Sequence, residues 1–247
     1  RLSSFEATLL SVPTRLIVYI MSFWSLQDII ALEAASVVLH NIIEYYKSRV
    51  WNPDIFFRPW FIDNPRQFRE ILRDCGAVVS GSQITQFLDR SRYPGSDMDV
   101  FLRVGGLPQM GRWLQGQGYN YTSHSRTYQS FRQSVLRMSN KVITERSSGD
   151  YPVKGVFNYH RFVASPTTIF IQKIQLVTVD LNPIHHILFD FHSTAVMNFM
   201  TFNAVTSIFP LSTFILHKSY VVKNRSESAA QSSRWKAKYR DRGFRLV

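Results

Sequence analysis

The sequence predicts an α+β protein, and three observations carry that expectation. An apolar stretch, Ala77-Val78-Val79-Ser80, reads as a strand; it runs into Gly81-Ser82, then a helix over 83–89, then a second apolar strand, Val100-Phe101-Leu102. Residues 169–179 form the strongest strand pattern in the chain, being rich in β-branched residues with polar ones interposed. The first fifty residues instead carry apolar positions at helical spacing. The expected division is a helical block over 8–51, a domain of strands and helices over 52–216, and a basic C-terminal tail or helix over 217–247. With 247 residues the chain is long enough to bury a core in one large or two small domains.

Each element has a local reason. Pro13 stands two residues after Ser11, as a first-turn proline follows an N-cap, and Leu16, Ile17, Tyr19, Ile20 and Phe23 then form an apolar stripe. Ser25 caps a second helix with Asp28 three residues on, and residues 37–46 make a third. Aromatic linker sequence follows from Asn52 (Phe56, Phe57, Trp60, Phe61). Asn64-Pro65 starts a helix over 67–75 that Gly76 closes. Residues 107–117 read as a helix ending at Gly118. Residues 119–141, polar and aromatic in alternation, read as strands or a long hairpin, and 145–150 as a loop. Residues 153–162 and 167–179 pair as strands across Ser165-Pro166. After Asn182-Pro183 the residues Ile184, Ile187, Leu188, Phe191, Ala195, Val196 and Phe199 suit a helix, so 184–216 reads as a buried helix pair.

The charge is +12, from 29 Lys and Arg against 17 Asp and Glu, and it is uneven. Residues 218–247 hold nine basic and two acidic residues, a net of +7, which suits an anionic partner or a solvated basic surface. Trp235, Tyr239 and Phe244 alternate there with Lys236, Lys238, Arg240 and Arg242, a pattern that either grips single-stranded nucleic acid or packs a terminal amphipathic helix. The lone Cys75 excludes an internal disulfide framework, points to a reducing compartment and is expected to pack at a helix end. Residues 9–24 are too short and too interrupted by Pro13 and Arg15 to span a bilayer, and no signal peptide is visible. The expectation is an intracellular protein, cytoplasmic or nuclear, without a membrane partner.

The chemistry-bearing pattern is Gly81-Ser82 followed by Asp97-Met98-Asp99. Alternation on a strand turns Asp97 and Asp99 to one face, about 7 Å apart. Two such carboxylates suit a hard cation such as Mg²⁺, and a Gly-Ser turn at a helix start suits a triphosphate. An Asp-x-Asp after Tyr93-Pro94-Gly95 is also ordinary turn chemistry. Arg90 and Arg92, between the two halves, are candidate phosphate contacts, and Lys173, on the strand face of Gln175, is a further candidate to reach the nucleotide or the metal pocket. The sequence Asp190-Phe191-His192-Ser193-Thr194 does not space a catalytic triad on a helix, and His185-His186 has no partners spaced for zinc.

The order Val79-Ser80-Gly81-Ser82, helix, Ser96-Asp97-Met98-Asp99-Val100 resembles the polymerase β-like nucleotidyltransferase superfamily. The resemblance implies a mixed sheet flanked by helices. It also implies Mg²⁺-dependent transfer of a nucleotidyl group from a nucleoside triphosphate to a hydroxyl, with Asp97 and Asp99 as metal ligands. Such enzymes carry a third carboxylate on a neighbouring strand. Here Ile174-Gln175-Leu176 offers glutamine, which brings no charge and is no base, and Asp180 is the rival candidate. A site with two acids is a degenerate one. Residues 12–32, with Val12-Pro13-Thr14-Arg15-Leu16-Ile17, Ser25-Leu26-Gln27-Asp28 and a later Val50-Trp51, resemble an F-box, although Thr14 and Arg15 depart from the usual acidic residue. The whole chain is similar to fungal proteins joining these two parts. The second implied function is a catalytically inactive substrate-recognition subunit, docked on the Skp-type adaptor of a cullin ubiquitin ligase.

Overall fold

Serine caps open most of the N-terminal helices. In the computed structural model, which describes residues 2–123, 130–144, 153–164, 169–222 and 228–247, these are α1 (Ser4–Ser11), α2 (Thr14–Met21), α3 (Leu26–Glu33) and α4 (Val37–Val50). Ser3 with Glu6 and Ser25 with Asp28 form reciprocal capping boxes, and Ser36 caps α4. Ser11 ends α1 instead of opening the next helix, and Pro13 itself takes the N-cap position of α2. The residue before a proline is pushed out of the helical region, so extended Val12 separates the two helices. Ile17, Met21, Ile29, Ile43 and Tyr46 close the block's own small core.

The remaining α-helices and strands are α5 (Pro53–Phe57), α6 (Pro65–Asp74), β1 (Val78–Ser80), α7 (Ser82–Asp89), β2 (Met98–Arg103), α8 (Leu107–Gly116), β3 (Asn120–Thr122), α9 (Phe131–Thr144), β4 (Val153–Ala164), β5 (Ile169–Val179), α10 (Pro183–Phe189), β6 (Asn198–Met200), β7 (Val205–Ser207), β8 (Lys218–Ser219), α11 (Ala229–Asp241) and β9 (Arg245–Leu246). Seven strands form one mixed sheet in the order β3-β4-β5-β2-β1-β6-β7. Only β2 and β5 run parallel in it; the other neighbours are antiparallel. The fold is therefore mixed α+β, as expected.

Strand alternation sorts the side chains into two faces. Val79, Met98, Val100, Leu102, Phe157, Tyr159, Ile174 and Leu176 point one way, under α5 to α9, into the large core built on Phe57, Phe61, Phe68 and Leu114. Val78, Phe101, Val177 and Val179 point the other way, where Ile187 of α10 and Phe199 cover part of the sheet. The remainder of that second face is open.

Two stretches fold differently from their sequence expectation. Residues 131–144 form α9 and not a hairpin strand: Ser130 and Gln133 hydrogen-bond reciprocally at its start, and Phe131, Val135 and Met138 reach the core at helical spacing. In place of the expected helix pair over 184–216, α10 ends at Phe189, where His186 Nδ1 meets Asp190 Oδ2 at 3.0 Å, and only short helical turns follow at Thr194–Val196 and Leu211–Ile215. Residues 198–200 then become β6, because β1 needs a backbone partner on its outer edge. The loop at 145–150 and the Ser165-Pro166 join lie outside the described residues. Among the described residues no helix is long and apolar enough to cross a membrane.

The basic C-terminal segment is docked. Strand β9 lies parallel to β8. Tyr239 and Phe244 are buried against Ala195 and Val196, so α11 leans over the open face of the sheet.

Candidate functional site

The open face holds a pocket of about 450 Å³. Its lining joins Gly81 and Ser82 to Asp99 of β2, Gln175 and Val177 of β5, Phe191 and His192 after α10, and Trp235 and Lys238 of α11.

Gly81 is required by two constraints. Its φ of 72° with ψ of −151° lies where only glycine sits without strain. A Cβ there would also stand 2.6 Å from Asp99 Oδ2. That proximity follows from the register, in which Ser80 pairs with Asp99 across β1 and β2. The turn then enters α7 at Ser82, which lines the pocket with Asp99, and no side chain caps this helix start.

The carboxylates sit in an unfavourable setting. Burial pushes the Asp99 carboxyl up to about 7; the neighbouring Asp97 adds to the rise and Lys238 opposes it. Lys238, on the solvent side of the pocket, is lowered first by burial and then by Arg242, while Asp99 and Asp97 pull it back. The rest of the wall is aromatic. The His192 ring lies 4.1 Å from that of Trp235, and burial lowers its imidazole to about 4, so it is neutral at physiological pH. His192 Nε2 and Trp235 Nε1 are buried with no hydrogen-bond partner among the described residues. Phe101 packs 5.4 Å from Phe191 and 5.6 Å from His186.

The structure brings Gly81, Ser82 and Asp99 together, with Asp97 one residue outside β2. Lys173 is exposed two residues before Gln175, on the same face but outside the pocket lining. Arg92 is exposed on the loop before Asp97. Arg90 is engaged elsewhere: in a left-handed conformation, its Nη2 donates to Trp24 O (2.7 Å) and its Nη1 to Tyr46 Oη (2.7 Å) and Met21 O (3.3 Å). With the Trp51 Nε1 to Leu88 O bond at 3.2 Å, it ties the helical block to α7.

The neighbouring strand, where the resemblance would put a third acid, places an amide beside Asp99. In the parallel pair β2–β5, Asp99 stands beside Gln175, whose Nε2 donates to Asn158 Oδ1 at 3.0 Å. Asp180 lies one residue past β5, five beyond Gln175, or about 17 Å along the strand. It does not reach Asp99. Among the described residues no group of three or more His, Cys, Asp or Glu is placed to hold a metal ion. Among the described residues, two carboxylates with an amide beside Asp99 and a lysine in the same pocket wall do not fit a two-metal Mg²⁺ site, which needs carboxylates to bridge both cations.

The basic segment, one of whose two sequence readings was a packed terminal amphipathic helix, supplies part of the pocket wall. Trp235, Lys238, Tyr239 and Arg242 fall at i, i+3, i+4 and i+7, so they share one face of α11. That spacing was visible in the sequence, but the pocket it faces was not. Comparison of the chain with protein-family models, with curated proteins and with solved structures gave no match.

Proposed function

We propose that residues 52–247 form a polymerase β-like nucleotidyltransferase fold. Its pocket binds a nucleoside triphosphate and has lost two-metal transfer chemistry. The observation that carries this reading is the pairing of Asp99 with Gln175 in the parallel neighbour strand, directly beside Gly81-Ser82 at the start of α7. The strand–Gly-Ser–helix–strand order accounts for a phosphate cradle. The aromatic wall of Phe101, Phe191 and Trp235 suits a base or ribose. Glutamine at 175 removes both the third ligand charge and the base that a transfer to a hydroxyl requires.

Calorimetry with ATP, GTP, CTP and UTP on the wild type and on Gly81→Ala tests the reading. At least one nucleotide should bind the wild type. Gly81→Ala, which sets a Cβ against Asp99, should weaken it by about a hundredfold while the circular dichroism stays native. Failure of all four nucleotides to bind at millimolar concentration overturns it.

A second reading, compatible with the first, concerns the helical block. Leu16 and Tyr19 of α2 and Phe23 just past its end are exposed apolar side chains, with Ile30 and Val37 also exposed. The opposite side of α2 packs on the block's own core, and Arg90 and Trp51 hold the block to the sheet domain. An F-box-like block using these exposed side chains on a Skp-type adaptor would make the chain a substrate-recognition subunit. Binding of purified adaptor that is lost in Tyr19→Asp/Phe23→Asp supports this; binding that survives the double change rejects it.

A further inference from the structure

Two carboxylates at a phosphate pocket repel the ligand unless a cation stands between them. A divalent ion commonly fills that role, but among the described residues the strand neighbour of Asp99 is an amide and not a third acid. Among the described residues, the lysine or arginine that lines the pocket is Lys238. Its position is secured by the docking of α11: Arg242, four residues on and on the same helical face, donates from Nη2 to Ser96 Oγ at 3.1 Å, the residue next to Asp97. The Arg242 guanidinium also lies 4.1 Å from the centre of the Tyr93 ring, and Tyr239 and Phe244 anchor the two ends of this turn. One turn back from that anchor, Lys238 lines the same pocket as Asp99, near enough for the charges of Asp99 and Asp97 to act on it.

We propose that Lys238 is the resident counter-cation of the Asp97–Asp99 pair and bridges it to the phosphates of the ligand, so that the pocket takes a polyphosphate without a divalent metal. The ammonium has three donors and a flexible stem, enough to serve a carboxylate and a phosphate oxygen together. It imposes no octahedral geometry, so the amide at 175 is no handicap to it. A single positive charge also supplies no Lewis acid, which agrees with binding uncoupled from transfer. The identity of the ligand rests on the nucleotide reading above; the counter-cation role does not.

The experiment separates the two. Mn²⁺ binding is followed by electron paramagnetic resonance on the full chain without nucleotide, for wild type, Lys238→Met, Lys238→Arg and Gln175→Glu/Lys238→Met. Wild type and Lys238→Arg should bind Mn²⁺ weakly, Lys238→Met about tenfold more tightly, and the double variant more tightly still. Wild-type Mn²⁺ affinity equal to that of Lys238→Met overturns the assignment, and native circular dichroism of each variant is the fold control. Inorganic tripolyphosphate is then titrated in EDTA. Wild type should bind it as well as in Mg²⁺, and Lys238→Met should lose about tenfold in EDTA. Wild-type binding that demands Mg²⁺ overturns the metal-free claim. A pocket that takes tripolyphosphate but none of the four nucleotides would sink the nucleotide reading alone.

Discussion

The two faces of the central sheet are made from alternate residues of the same strands, yet they have opposite characters. Met98, Val100 and Leu102 are fully buried beneath five helices, in a core rich in aromatic rings such as Phe57, Phe61, Phe68 and Trp113. Asp99 and Phe101, between them, face a pocket walled by α11 and by the end of α10 with the residues after it. Along β5, Ile174 and Leu176 belong to the first face and Gln175 and Val177 to the second. A step of one residue thus separates what holds the sheet together from what the sheet presents. The closed face supplies the stability that lets the open face keep a left-handed glycine, two adjacent carboxylates and unpaired buried polar atoms.

Substitutions that probe one face at a time break or sharpen this contrast. The largest effect is expected at Phe68, fully buried between the rings of Phe57, Phe61 and Trp113. Phe68→Ala should cost about 3–5 kcal/mol in chemical denaturation. Phe101→Ala, beside a space that already admits solvent, should cost about half as much. Equal costs would break the contrast.

The second effect is a pH dependence located on the open face. The Asp99 carboxyl stands at about 7 against an ordinary value of 3.8, so between those values the folded chain binds more protons than the unfolded one. Stability contributed by the protonated carboxyl is therefore lost as pH rises from about 4 to about 7. Asp99→Asn should flatten that slope and gain about 2 kcal/mol over wild type at pH 8, read from denaturation midpoints across pH. An unchanged slope would place the carboxyl in open solvent.

The smallest effect tests how well the closed face is sealed. Cys75 is buried in its core, and burial pushes the thiol up to about 11. The native chain should therefore resist iodoacetamide at pH 8 and react fully once denatured, as read by mass spectrometry. Rapid native labelling would show that this face opens.

Much of this was legible in the residues. Cap chemistry placed α3 at Ser25 and closed α6 near Gly76, whose φ is positive. Short-range pattern marked β1, α7 and β2 and singled out Gly81, Ser82 and Asp99 as neighbours, because a turn of this kind is encoded within about twenty residues. Long-range placement was not legible. Arg90 sits in the motif by sequence, but its guanidinium serves the helical block; Asp180 lies close to Gln175 in sequence yet far along the strand. Residues 198–200 suit a helix by spacing and form a strand because β1 has an edge to fill.

By itself the sequence determined which residues alternate on a strand, where helices start and stop, and that a glycine-serine turn precedes an aspartate pair. These are consequences of backbone sterics and local hydrogen bonding, which act over a few residues. Only the tertiary structure decided that glutamine would stand beside Asp99 and that a lysine nearly 140 residues away in sequence would line the same pocket. Strand pairing and helix docking are set by burial of surfaces distant in the chain, and no local pattern carries their address.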